Sequence, residues 1–321
     1  MAKAKSANGS SPRKPADPQR AARVRAIWIH SVAALLVVGG AGVGIALVHR
    51  HVEKQIAFPA KPPTVVLKNR PAWMSDFVAQ QVAQQVAPRG AHSAFDHEML
   101  VEITRMLKTN PWIMKVRGVR RVFGKGPGDT LELDCEFRTP AALVRTGRAY
   151  YLIDRDGVRL PEQYAAADVP KVVETASGRT NILVIEGVAR PAPRWPGQKW
   201  TGADLRAGLD LAALLLDPGN QTFTHEIRKI NVSNFGGKKD PREAQLVLYT
   251  RYGTEVRWGR PIKATDRFIE VDPARKLDYL RQVYKDYGRV DGNQQYGIDI
   301  RFDKITYPSV DPATAQATTT E

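Results

Sequence analysis

The chain is short of the residues from which most chemical sites are built. It has one cysteine in 321 residues, so no disulfide closes within it and a disulfide-stapled secreted mini-protein is excluded. A Cys/His structural zinc domain lacks its ligands for the same reason. Beyond residue 48 there is no phosphate loop, dinucleotide fingerprint or Gly-x-Ser-x-Gly elbow. His97-Glu98 is not followed by the histidine that a metalloprotease helix requires. His49-x-His51 offers two ligands only, beside an apolar run, and is expected to hold no metal. Asp154-x-Asp156-Gly157 opens like a calcium loop but has no glutamate at the twelfth position, and Asp156-Gly157 is better read as a hairpin turn. Carboxylates are plentiful but pair in no recognisable way. No catalytic residue, metal or cofactor is expected.

The most informative absence is of charge. Residues 26–48 contain no Asp, Glu, Lys or Arg, and at 23 residues they make roughly 35 Å of helix, enough to cross a hydrocarbon core of about 30 Å. A cleaved signal peptide is the rival, but its apolar region runs to about 7–15 residues before small residues. This run is longer and ends in His49-Arg50-His51, so an uncleaved anchor is expected. Before it, residues 1–25 carry seven Lys/Arg against Asp17, a net +6 of the chain's +15. After it come Arg50, Lys54, Lys61 and Lys68. The imbalance predicts a cytoplasmic N-terminus with about 270 residues outside. The basic tail is therefore an orientation signal and anionic-lipid contact rather than a nucleic-acid arm, and no nucleic-acid partner is expected. Gly40-x-x-x-Gly44 permits close helix packing but is equally read as tolerated glycine.

Residues 49–63, with Pro59, Pro62 and Pro63, form a stiff linker. Residues 64–139 then read as a small domain of strand, helix, helix, strand, strand. Thr64–Leu67 is a β-branched run, and Met74, Phe77, Val78, Val82 and Val86 make a helical stripe. Ser93 with Asp96 has capping-box spacing before Met99, Leu100, Ile103, Met106 and Leu107, and Asn110-Pro111 stops that helix. Trp112, Met114 and Val116 alternate, with a bulge at Gly118; after a turn at Lys125–Asp129, Leu131, Leu133, Cys135 and Phe137 alternate again. Cys135 thus faces the core as a small apolar residue.

Residues 140–307 read as a larger, mainly antiparallel β domain with two or more helices, so the fold class is α+β. Strands are expected at Tyr150–Ile153, Val158–Leu160, Ile182–Ile185, Ile227–Val232, Gln245–Tyr249, Glu255–Trp258 and Tyr296–Tyr307. Helices begin at the Thr201/Asp204 capping box and at Asp272-Pro273, the second closed by Gly288. Residues 308–321 are a polar Thr/Ala tail, expected to be disordered.

In this order the parts resemble the FtsQ/DivIB family of bacterial cell-division proteins, whose first extracytoplasmic module is called POTRA. Asn110–Phe123 (NPWIMKVRGVRRVF), Thr130–Pro140 (TLELDCEFRTP), Tyr150–Pro161 (YYLIDRDGVRLP), Ile185-Glu186-Gly187, Gly253–Gly259 with Arg267-Phe268, and Ile298–Phe302 (IDIRF) resemble the family's segments in sequence order. The long irregular stretch 161–200 departs from its pattern, and Trp112 and Arg120-Arg121 match only approximately. The resemblance covers roughly residues 20–307. It implies a non-enzymatic divisome scaffold of the inner membrane, enriched at the septum. Its partners would be the membrane, the small single-span proteins FtsB and FtsL, and other divisome components. FtsB-like binding would occur by strand addition at the C-terminal sheet edge, through Arg301, Phe302, Asp303, Lys304, Ile305 and Tyr307. The residues alone offer a route for this, because a terminal strand leaves unpaired N–H and C=O groups. The other class kept open is a membrane-anchored envelope enzyme or ligand sensor acting on cell-wall glycan.

Overall fold

The computed structural model describes residues 18–55, 63–90, 92, 96–122, 130–173, 182–265 and 269–308. Residues 1–17, linker residues 56–62, Ser93, the Lys125–Asp129 turn, Arg267-Phe268 and the tail from 309 lie outside them. The first element, α1 (Pro18–Gln55), is 38 residues long. Its stretch Trp28–His51 is long and apolar enough to cross a membrane, with a mean hydropathy of 2.3 and no residue buried against the rest of the chain. The helix therefore overruns the apolar run expected at 26–48, since no proline or glycine cap ends it at His49.

The small module consists of β1 (Thr64–Leu67), α2 (Asp76–Val86), α3 (His97–Thr109), β2 (Ile113–Val122) and β3 (Thr130–Phe137), in the expected order. Its sheet runs β1-β3-β2, with β1 parallel and β2 antiparallel to β3. Ser75 caps α2 by accepting from the Val78 N–H. The cap of α3 is Asp96, which accepts from the Met99 N–H at 3.0 Å. That bond, and then the contact with His92, hold the Asp96 carboxyl below its ordinary value. Val78, Val82 and Val86 of α2 and Met99, Ile103 and Leu107 of α3 close over Leu131, Leu133, Cys135 and Phe137 of β3. Burial, and then the Asp134 charge, push the Cys135 thiol up to about 11, so it is unreactive at neutral pH. The register of β2 slips between Val116 and Gly118, the expected bulge.

The larger domain contains β4 (Pro140–Thr146), β5 (Ala149–Asp154), β6 (Arg159–Ala165), α4 (Val169–Val173), β7 (Leu183–Glu186), α5 (Ala203–Leu215), α6 (Gln221–Thr224), β8 (Ile227–Asn231), β9 (Leu246–Thr250), β10 (Glu255–Gly259), α7 (Pro273–Tyr287) and β11 (Ile298–Asp299). Its eight strands run β11-β10-β9-β8-β7-β4-β5-β6. The sheet is mixed: four of its seven pairings are antiparallel, as expected for most of it, while β4 with β7, β7 with β8 and β10 with β11 are parallel. The cause lies in the connections, since α5 carries β7 to β8 and α7 carries β10 to β11, and a crossover through a helix returns the chain in the same direction.

Strand β4 escaped the sequence pattern because a central strand buried on both faces does not alternate. Its Ala142 and Val144 face one core, with α5, while Leu143 joins the core of the small module. The junction between the two parts is only Arg138-Thr139. The Arg138 N–H donates to the Trp112 carbonyl at 2.8 Å and its guanidinium pairs with Asp154 at 2.7 Å. Asp154, which opened the apparent calcium loop, spends its other oxygen on the Asp156 and Val158 N–H groups of the hairpin turn.

Candidate functional site

The C-terminal segment was expected as one strand, Tyr296–Tyr307. Only Ile298-Asp299 pairs with β10, in parallel, with Val256 opposite Ile298. The chain then turns and comes back. The Asp299 N–H donates to the Thr306 carbonyl at 2.8 Å, and the Thr306 N–H donates to the Asp299 carbonyl at 3.0 Å. The outer side of β11 is thus occupied by the chain itself.

Two features force this path. Gly297 has φ +79°, and a Cβ there would lie 1.7 Å from the Glu255 carbonyl oxygen, so only glycine lets the strand enter beside β10. Arg301 supplies the second. It is 8% exposed, and its guanidinium donates to the Asp299 carboxylate from Nε at 3.0 Å and Nη2 at 2.7 Å. Its Nη1 reaches the Arg242 carbonyl, while its own carbonyl accepts from the Val271 N–H. Burial works against the Arg301 charge, but the Asp299 hydrogen bonds and charge overcome it and the net shift is upward. Arg301 therefore fixes the turn from inside and does not present its side chain to a partner.

The remaining expected contact residues lie on the surface. Phe302 is 37% and Tyr307 46% exposed, Asp303 and Lys304 are exposed, and Ile305 is half-buried against the main core. Tyr279 Oη donates to the Asp303 carbonyl and staples the turn to α7. The Tyr307 phenol touches Tyr287; burial, followed by that neighbour, raises its titration. Because Thr306 turns both backbone groups toward Asp299, those of Ile305 and Tyr307 point away from the sheet. They form its outermost rung.

The loop ahead of β11 is braced by buried acids. Asp291, fully buried, accepts from Arg289, from Thr254 Oγ1 at 2.6 Å and from the Asn293 N–H. Glu226, 3% exposed, accepts from the Val290 N–H and the Tyr252 hydroxyl, and Arg289 lies 3.6 Å over the Tyr252 ring. Under β10, Lys276 is 2% exposed and donates to the Trp258 carbonyl and the Glu270 carboxylate, both at 2.7 Å. Sequence reading gave no hint of this bracing, since the three acids come from three separate loops. Gly297 alone had a local signal, a glycine immediately before the alternating stretch Ile298–Phe302.

Among the described residues no three His, Cys, Asp or Glu side chains converge as a metal site. No protein-family model matches the chain, and no curated protein matches it.

Proposed function

We propose that the chain is a non-enzymatic scaffold of the bacterial division machinery, of the FtsQ/DivIB type. It would couple small single-span partners, FtsB- and FtsL-like, to septal cell-wall synthesis. The observation that carries this reading is the outward-facing backbone of Ile305 and Tyr307, set between the exposed rings of Phe302 and Tyr307 at the last rung of the sheet. Such a rung accepts an added strand, and aromatic neighbours are the usual anchors of a protein interface. The β-α-α-β-β order of the small module fits a POTRA domain, and the basic tail before the span fits a cytoplasmic N-terminus at the inner membrane. The enzyme or sensor alternative has less support. A cleft of about 590 Å³ between α5 and the loops at 235–264 is lined by a single carboxylate, Asp210, which is neutralised by Lys263 at 2.9 Å and Arg206 at 3.1 Å.

Ile305→Pro removes one outward N–H without touching the core strands. With the full chain in nanodiscs, this variant should lose binding to an FtsB-like partner, while Ile305→Ala, which removes the same half-buried side chain but keeps the N–H, should retain it. Unchanged binding would place the contact elsewhere. A fluorescent fusion should form a midcell band in dividing cells; diffuse envelope labelling would remove the division reading altogether.

A further inference from the structure

The irregular stretch between β7 and α5 is built more firmly than its sequence suggests. Trp195-Pro196-Gly197-Gln198 is a β-turn, closed by the Gln198 N–H on the Trp195 carbonyl. Proline at its second position and Gly197 at φ +85° in its third are the requirements of a type II turn. Arg159 reaches in from β6 and donates from Nη1 to the Pro193 carbonyl at 2.6 Å and the Arg194 carbonyl at 2.8 Å. The Trp200 indole N–H holds the Arg190 carbonyl at 3.1 Å. The backbone of the stretch also pairs with the sheet: Arg159 N–H donates to the Gln198 carbonyl, Trp200 N–H to the Gly157 carbonyl, and Lys199 stands opposite Val158.

This rigid loop displays what folded proteins usually hide. Trp195 is 58% exposed, with the Arg194 guanidinium 5.0 Å from its ring centre. From Gly187 to Ala203 there is no acidic residue, while Arg190, Arg194 and Lys199 are all exposed. The next carboxylate, Asp204, is buried and accepts from the Ala189 N–H at 2.7 Å. In the pairing found here, the bonds to β6 come from the residues on either side of Lys199. Its own N–H and C=O therefore point outward, one turn away from Trp195.

We infer that residues 188–199 form a preorganised docking loop for an extended acidic peptide segment of a partner protein. Trp195 is its apolar anchor, the Lys199 backbone its strand-like rung, and Arg190, Arg194 and Lys199 its charge complement. Tryptophan and arginine dominate binding energy at protein interfaces, and a loop already fixed in shape loses little entropy on binding. The outward N–H and C=O beside the ring favour a peptide over a lipid or a glycan, which cannot continue a backbone ladder. The position of the loop agrees. Gly197 packs on Pro111, next to the β2–β3 end at Ile113 and Phe137, whereas the membrane linker enters at Thr64, opposite Thr130. The length of β3, eight residues or roughly 25 Å, separates the two ends.

The test selects a display library of random peptides on the full chain in nanodiscs, with counter-selection on an Arg190→Glu/Arg194→Glu chain. Enriched peptides should be rich in Asp and Glu around one apolar residue. Their affinity should fall about 30-fold in Trp195→Ala, the size of a hot-spot loss, and comparably in the charge-reversed chain. Ile305→Pro should leave it unchanged, which separates this site from the C-terminal rung. Thermal melts check that each variant is folded. An absence of enrichment overturns the inference, as does enrichment of neutral peptides or affinity indifferent to both loop variants. Trp195-dependent co-flotation of the nanodisc-held full chain with phosphatidylglycerol vesicles, without peptide binding, would assign the loop to the membrane and also overturn it.

Discussion

The two edges of the large sheet meet the same hazard in different ways. An edge strand offers unpaired backbone to any passing chain. At the β6 edge the cover is Lys199 opposite Val158, and at the β11 edge it is Thr306 opposite Asp299. Each is a single rung supplied by the protein's own chain, with Trp195 exposed near the first and Phe302 and Tyr307 exposed near the second. They differ in what holds the cover. Near β6 the cover belongs to an internal loop, fixed by a proline-glycine turn and by Arg159. Near β11 it lies close to the chain's end and depends on a buried ion pair, Asp299 with Arg301, together with one hydroxyl from α7. The first cover is rigid at both ends. The second has no proline-glycine turn to fix it, so small changes should release it.

The strongest challenge to that contrast is Gly297→Ala. The added Cβ cannot fit beside the Glu255 carbonyl, so β11 should leave the sheet, at a cost of about 3 kcal/mol or more. Urea unfolding gives the loss, and hydrogen exchange should show the Asp299 and Thr306 amides unprotected while those of Arg159 and Trp200 stay protected. Equal loosening of both edges would show that the covers are not independent.

A somewhat smaller effect is expected from Arg301→Ala, which strands the buried Asp299 carboxylate; about 3 kcal/mol should be lost, against under about 0.5 for the neighbouring Phe302→Ala. Denaturant midpoints of the two variants decide this. Similar small losses would return Arg301 to the surface.

The smallest effect belongs to the β6 edge. Glu162 points toward the small module's core, its Oε2 without a hydrogen-bond partner among the described residues, and burial raises its carboxyl above the ordinary 4.5. A raised carboxyl binds its proton more tightly in the folded state. Its favourable contribution is complete below the ordinary value and disappears as pH rises through the folded one. Glu162→Gln should therefore stabilise the protein modestly at pH 7 and lose that advantage on acidification, as thermal melts across pH would show. Stabilisation that does not change with pH would mean that packing, not charge, is responsible.

The sequence carried the helices and the alternating strands well, because periodicity and caps are local. The Asp272-Pro273 start and Gly288 stop of α7 lie where the residues place them, with Asp272 accepting from the Arg275 N–H. The β5–β6 turn at Asp156-Gly157 was equally legible, with Gly157 at φ +78°. The start of α5 was less so. Asp204 turns away from capping to hold Ala189, and the helix begins at Ala203 after Gly202. At the candidate site, Phe302, Asp303, Lys304, Ile305 and Tyr307 could be read as surface or edge, but Arg301 could not be read as buried. Its partner Asp299 is two residues away and could equally have faced solvent; burial was decided by Val271 and Arg242, which are remote in sequence. The parallel docking of β11 was hidden for a similar reason, since it depends on the crossover through α7.

The two-residue junction at Arg138-Thr139 has a mechanical consequence. Arg138 is bonded on one side to the Trp112 carbonyl and on the other to Asp154, and buried side chains of β4, β5 and β7 continue the small module's core. There is no slack for the two parts to swivel. A torque applied at Thr64 is delivered to the sheet rather than absorbed, and the rung at Ile305–Tyr307 turns with it. From Thr64 to the rung at Ile305–Tyr307, the two parts behave as one lever.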